Sequence, residues 1–170
     1  MKNVKCVHPI KVNRIIKAFV EDFFPLCVDV ELAWDNDSSI NYAICADEDE
    51  ITIYIPNWKK ANFKNDNGGK CFRKDFTERC PLGKGFSDIT ISLLHEIGHA
   101  MTNRDLPKNY NRASECEKVN RIKDNSERCF AYFKMLDETL ATDWAIKWLQ
   151  DPEQRKIAKD FEKKFWACFE

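Results

Sequence analysis

The sequence has little histidine, glycine or proline: 170 residues include three histidines, five glycines and six prolines. It has no apolar run near the roughly 18–20 residues that a membrane-spanning helix needs. The N-terminal residues carry charge but show neither an apolar core nor a small-residue cleavage site, so they do not resemble a signal peptide. We therefore expect a cytoplasmic protein that does not enter a membrane.

The chain also lacks an excess of charge of either sign. Lysine and arginine number 27 and aspartate and glutamate number 28, so the formal net charge is -1. A chain so balanced has no overall field that would attract nucleic acid or an anionic membrane surface. We therefore expect neither of them as a partner.

No C-x-x-C pair is present, which argues against a structural zinc site built from cysteines. Cysteine itself is abundant, with eight copies, but without a secretion signal these are expected to be reduced thiols rather than a disulfide framework. Free thiols pack as small apolar residues. The eight are Cys6, Cys27, Cys45, Cys71, Cys80, Cys116, Cys129 and Cys168.

The first third of the chain alternates between helical and extended patterns. Apolar residues at helical spacing predict a helix over Pro9 to Phe24, which Pro25 ends. Alternating residues then predict strands over 28–34, 40–46 and 51–55. Because the connections between them are short and rich in turn residues, we expect an antiparallel meander.

The rest of the chain is predicted to be helical after a long polar segment, residues 57–86. One helix begins at Ser87 or Asp88 and runs to about Asn103. A short one begins with a capping box at Ser114, another covers 126–150, and the last starts at Pro152. The fold class expected is α+β: one domain over residues 1–170, with an N-terminal helix, a three-stranded mainly antiparallel sheet, and then helices.

The chemistry of the chain is concentrated in the segment His95-Glu96-Ile97-Gly98-His99. Two histidines four residues apart on a helix project from one face and can bind one Zn²⁺. Glu96 can then lie beside the open metal position and act as general base towards a zinc-bound water. This spacing predicts metal-assisted hydrolysis, with Zn²⁺ as the cofactor.

A third protein ligand is required, and two carboxylates are candidates. Glu138 lies on a predicted helix, away from its apolar stripe, and Ala141 one turn later leaves room for the metal helix. Thr142 could then hydrogen-bond a metal-binding histidine or Glu138 itself. Asp105 follows His99 by six residues, as in H-E-x-x-H-x-x-G-x-x-H with the last ligand changed, but Thr102 replaces the glycine of that scheme. We favour Glu138.

The sequence His95-Glu96-Ile97-Gly98-His99-Ala100 followed by Glu138-x-x-Ala141 resembles the gluzincin branch of the zinc peptidases. More narrowly, it is similar to the small single-domain H-E-I-G-H-A group that includes the ImmA/IrrE-type proteins. The resemblance covers roughly residues 28–149. The chain departs from the group at Thr142, where Asp or Asn is usual, in the length of the segment between His99 and Glu138, and in residues 57–86, which have no recognisable counterpart.

The resemblance implies a zincin-like metalloendopeptidase whose substrate is a protein or peptide. It also implies that the strand before the metal helix forms the rim of the cleft, where an extended substrate could pair with the backbone of Ile51, Thr52, Ile53, Tyr54 and Ile55. In the loop after the metal helix, Tyr110 or Arg112 is a candidate to stabilise the transition state. The alternative function is a zinc-stabilised binding or regulatory module with little or no hydrolytic activity.

Overall fold

The computed structural model describes residues 8–25, 27–32, 50–55 and 67–169. The chain divides into two compact units, one from residues 1–66 and 151–170 and the other from residues 67–150. The single domain expected from the sequence is not tested by this division and stays a prediction. Among the described residues, none of the helices has the length and apolar character needed to cross a membrane.

In the first unit, two helices pack against each other through aromatic side chains. Helix α1 covers Pro9–Phe23, and the chain's last helix, α7, covers Pro152–Trp166. Each begins with a proline, which suits a first helical position because the missing N–H would have no partner there. The rings of Phe19 and Phe161 lie 4.5 Å apart between their centroids.

The same unit contains two paired strands, β1 (Cys27–Leu32) and β2 (Glu50–Ile55). They are parallel, with partners running from Cys27 and Glu50 to Leu32 and Ile55. A parallel pair needs a crossover of about a dozen residues or more. Residues 33–49, which connect the two strands, lie outside the described residues.

The predicted α+β fold with a three-stranded, mainly antiparallel sheet is wrong. The described residues contain seven α-helices, and this one short strand pair is not the expected sheet, so the fold is all-α in class. Alternation correctly located the extended segments at 28–32 and 51–55, but an alternating pattern does not specify which segments pair or in which direction. The predicted strand 40–46 lies outside the described residues.

The second unit is entirely helical. Its members are α2 (Asn67–Arg79), α3 (Asp88–Thr102), α4 (Arg112–Asn120), α5 (Asn125–Tyr132) and α6 (Leu136–Gln150). Helices α3 and α6 form its most extensive contact. Helix α3 is buried on most sides, with Ile91, Leu93, Leu94 and Ile97 fully enclosed, so it is the central helix of this unit.

Several predicted boundaries in this unit require correction. The helix predicted over 126–150 is two helices, α5 and α6, separated by a turn at Phe133–Met135. Helix α4 is capped by Asn111, whose side chain accepts a hydrogen bond from the Ser114 backbone, and not by Ser114. Helix α2 was not predicted, since two adjacent glycines and a polar composition conceal it. Helix α3, by contrast, runs over Asp88–Thr102, close to the range predicted.

Candidate metal centre

Helix α3 carries both histidines of the H-E-x-x-H segment. Because residues 95 and 99 are separated by one helical turn, their rings lie side by side, with centroids 4.7 Å apart. His95 is buried and His99 is partly buried. The helix is anchored by apolar residues on its other faces, so the two rings are held in a protein interior rather than on a solvated surface.

Helix α6 brings the third member of the group, Glu138. Its Oε2 atom lies 3.0 Å from His95 Nε2 and 3.5 Å from His99 Nε2. The Glu138 side chain is only 2% exposed, although a carboxylate is rarely buried without a partner. Glu138, the ligand favoured from the sequence, is therefore placed together with both histidines.

The approach of the two helices depends on Gly98. A Cβ atom built at this position would lie 2.4 Å from the backbone oxygen of Ala141 and 3.0 Å from its Cα. No side chain larger than hydrogen fits there without moving one of the two helices. Glycine at 98 and a small residue at 141 together allow α3 and α6 to approach closely enough for the three polar side chains to meet.

This arrangement fits a metal ion. One ligand atom each from His95, His99 and Glu138 can be chosen so that all three lie within 4.8 Å of one another. Ligand atoms around one tetrahedral Zn²⁺ lie about 3.3 Å apart, since zinc–nitrogen and zinc–oxygen bonds are close to 2 Å. The distances of 3.0 and 3.5 Å from Glu138 to the two histidines bracket that separation. Two imidazoles and one carboxylate are a donor set typical of catalytic zinc.

A second layer of contacts holds His95. Thr142 Oγ1 lies 3.1 Å from His95 Nδ1, so of the two partners predicted for this threonine it contacts a histidine. The ring of Phe72, from α2, packs against the His95 ring with centroids 4.7 Å apart. With Nδ1 engaged by Thr142, the Nε2 atom faces Glu138, and this orientation suits a histidine that binds a metal through Nε2.

Beyond Glu138 lies a group of polar side chains from α4 and the loop before it, from α5 and from the start of α6. Arg112 Nη2 donates to Glu138 Oε1 at 2.8 Å and to the Tyr132 hydroxyl at 2.6 Å. Arg112 also forms an ion pair with Asp137, whose carboxylate accepts a hydrogen bond from the Tyr110 hydroxyl. Two neighbouring buried carboxylates, Asp137 and Glu138, thus share one guanidinium group.

The electrostatics of the three acidic and phenolic groups follow from these contacts. Burial by itself would raise the pKa of Glu138, but hydrogen bonds from His95 and His99 hold it well below its usual value. Burial raises the pKa of Glu96, although the charges of both histidines act in the opposite direction. Burial, together with the charge of Glu138 and a hydrogen bond to it, raises the pKa of Tyr132.

Glu96, the predicted base, belongs to the same site. It is partly buried on α3, and the charges that influence it are those of His95, His99, Glu138 and Arg112. A carboxyl group whose pKa is raised within a cluster of titratable groups is the pattern found at many catalytic sites.

Of the other predicted site residues, some lie beside the three candidate ligands and others do not. Asp105 is exposed in a short 3-10 turn after α3 and is not part of the described metal-binding group. Tyr110 and Arg112 lie beside Asp137 and Glu138, as described above. The predicted substrate strand, residues 51–55, is a strand, but it belongs to the other unit and its role at the cleft stays a prediction.

Sequence reasoning missed Tyr132 and Asp137. Tyr132 ends α5, six residues before Glu138, and its hydroxyl contacts the guanidinium group that binds Glu138. Because the sequence was interpreted as one helix over 126–150, Tyr132 was not recognised as part of the site. The adjacent carboxylates Asp137 and Glu138 are visible in the sequence, but the guanidinium group that they share is not.

Comparison with protein-family models, curated proteins and solved structures found no match to this chain. The chemistry of the centre is therefore inferred from its own residues.

Proposed function

We propose that this protein is a zinc-dependent peptidase of the gluzincin type, with His95, His99 and Glu138 as the metal ligands. The observation that supports this most strongly is the convergence of Glu138, from a separate helix, on the two histidines of an H-E-x-x-H segment. Three protein ligands leave one coordination position for water, as in catalytic zinc sites. We expect a protein or peptide substrate in the cytoplasm.

A bound zinc ion would polarise water and the carbonyl group of the scissile peptide. Glu96, adjacent to the first ligand, would accept the proton from that water and deliver it to the leaving amine. Its raised pKa suits this exchange, since a general base works best when its pKa is near the operating pH.

Two histidines and a carboxylate also bind Fe²⁺ in non-haem oxygenases, so metal identity needs its own argument. Glu96, directly after the first histidine, favours hydrolysis, because a general base beside the open coordination position can deprotonate the attacking water. Elemental analysis of protein purified without added metal distinguishes the two directly. About one zinc and little iron per chain is the expected result.

Peptide cleavage provides the functional test. The protein is incubated with a diverse peptide library, and products are identified by mass spectrometry in wild type and in Glu96→Gln. We expect cleavage by the wild type that a chelator abolishes and added zinc restores. Glu96→Gln should retain one zinc and lose at least about 100-fold in turnover, since a general base contributes about 10²–10⁴-fold.

Three results would contradict the proposal. If the purified protein contains no zinc and does not bind added zinc, the proposed metal centre is excluded. Stoichiometric zinc without cleavage of any peptide, or full activity in Glu96→Gln, would remove hydrolysis through Glu96. Zinc without any cleavage would instead indicate a zinc-stabilised binding or regulatory module.

A further inference from the structure

The Arg112 side chain is 45% exposed and pairs with two adjacent carboxylates of α6, those of Asp137 and Glu138. It donates to Glu138 Oε1 at 2.8 Å and forms an ion pair with Asp137 in the same turn of α6. The Nη2 atom that donates to Glu138 also donates to the Tyr132 hydroxyl at 2.6 Å. Three contacts from one planar group fix the orientation of that group.

The two oxygens of Glu138 are consequently used for different purposes. Oε1 accepts from Arg112, whereas Oε2 faces the two histidine Nε2 atoms. A carboxylate held by one oxygen presents the other to a metal in a single geometry. Glu138 lies on a different helix from the histidines, and Arg112 holds the oxygen of Glu138 that does not face them.

We propose that Arg112 is a positioning residue that orients Glu138 for metal binding, and that it does not stabilise the transition state directly. This inference rests on the proposed function, because it takes Glu138 to be a metal ligand. It also assigns a role to the long segment between His99 and Glu138, since that segment forms α4, which starts at Arg112.

An opposing electrostatic effect makes the inference testable. A guanidinium charge near the site repels a divalent cation, so its removal would by charge alone strengthen zinc binding. Without Arg112, however, Asp137 and Glu138 would be adjacent buried carboxylates lacking their shared cation. The repulsion between the two carboxylates falls when one of them rotates away. If that one is Glu138, the site loses a metal ligand. We expect the loss of Glu138 orientation to weaken zinc binding more than removal of the positive charge strengthens it.

The test measures zinc affinity by competition with a chromophoric chelator, in the full chain. We expect Arg112→Gln to bind zinc about 10–100-fold more weakly than wild type, the range typical when the partner of a metal ligand is removed. Arg112→Lys retains the charge but loses the planar fork, so it should also bind more weakly. The absorption spectrum of the Co²⁺-substituted protein should change in both variants.

Arg79→Gln is the matched control. Arg79 is a partly buried arginine of the same unit that pairs with Asp75 at 3.5 Å and with Asp143 of α6, without contact to Glu138. Its replacement removes comparable ion pairs, so it should lower thermal stability while leaving zinc affinity and the Co²⁺ spectrum unchanged. A similar loss of affinity in this control would show that the Arg112 effect is merely structural, and would overturn the inference.

Unchanged or tighter zinc binding by a folded Arg112→Gln overturns the assignment of Arg112 while leaving the proposed function intact. If that variant does not fold, Arg112→Lys decides the matter, and wild-type affinity in it overturns the assignment equally. A wild-type protein that binds no zinc overturns both this inference and the proposed function.

Discussion

At the scale of single residues, the site combines two carboxyl groups with opposite displacements of their pKa values. Glu138 is kept ionised by hydrogen bonds from two histidines, whereas burial favours the protonated form of Glu96. Their environments therefore suit different tasks, one as a permanent anionic ligand and the other as a group that takes up and releases a proton.

The raised pKa of Glu96 predicts a stability effect in the metal-free protein. A carboxyl group whose pKa is higher in the folded state destabilises the fold at pH values above that pKa, and has no such cost below its unfolded value of 4.5. Glu96→Gln removes the ionisable group. In excess chelator we expect this variant to have a higher melting temperature than wild type at pH 7.5, with a difference that shrinks towards pH 4.5.

Thermal melts followed by circular dichroism measure this difference. A gain of about 1 kcal/mol would correspond to about 2–4 °C for a chain of this size. Glu117→Gln, on the exposed surface of α4, serves as the control and should not reproduce the pH trend. An equal difference between Glu96→Gln and wild type at both pH values would contradict the argument.

At the scale of elements, the candidate metal centre depends on the contact between α3 and α6. The three proposed ligands come from these two helices, which approach closely at Gly98 and Ala141. The backbone of Ala141 is the obstacle to a larger residue at 98, so a rotamer change cannot relieve the clash. The contact therefore sets both the stability of the unit and the ligand separation.

Gly98→Ala is expected to destabilise the protein and weaken zinc binding. Alanine would gain about 1 kcal/mol in helix propensity, but its methyl group would meet the Ala141 backbone at 2.4 Å. Overpacking typically costs about 1–3 kcal/mol, so the net change should be a lower melting temperature. Ser92→Ala, on the same helix, is the control and should be neutral. A Gly98→Ala protein as stable as wild type would show that the helices separate at little cost.

At the scale of the whole molecule, every proposed ligand lies in the unit formed by residues 67–150. The other unit contains α1, α7 and the strand pair. Ligand binding stabilises only the states that contain the intact site. Removal of the metal should therefore destabilise the unit of residues 67–150 more than the other unit.

Hydrogen exchange measured by mass spectrometry can detect this difference. Zinc at 100 times its dissociation constant stabilises the intact site by about 2.7 kcal/mol. A chelator should thus increase exchange mainly in α3 and α6, with little change in α1 and α7, and added zinc should restore protection. An equal loss of protection in residues 9–23 and 152–166 would contradict this expectation.

The sequence by itself determined the local features of this protein. Helices α1 and α3 begin and end near their predicted residues, and α7 begins at the predicted Pro152, because proline, capping and apolar periodicity act over a few neighbouring positions. The pairing of His95 with His99 follows in the same way, since four residues make one helical turn. No distant contact is needed for either.

Only the tertiary structure decided which distant groups meet. It placed Glu138 and not Asp105 with the histidines, made β1 and β2 parallel, and brought Arg112 to the back of Glu138. It also divided the predicted helix at 126–150, which is how Tyr132 comes to lie near the site. These outcomes depend on how helices pack across long stretches of chain, and side-chain periodicity carries no information about that packing.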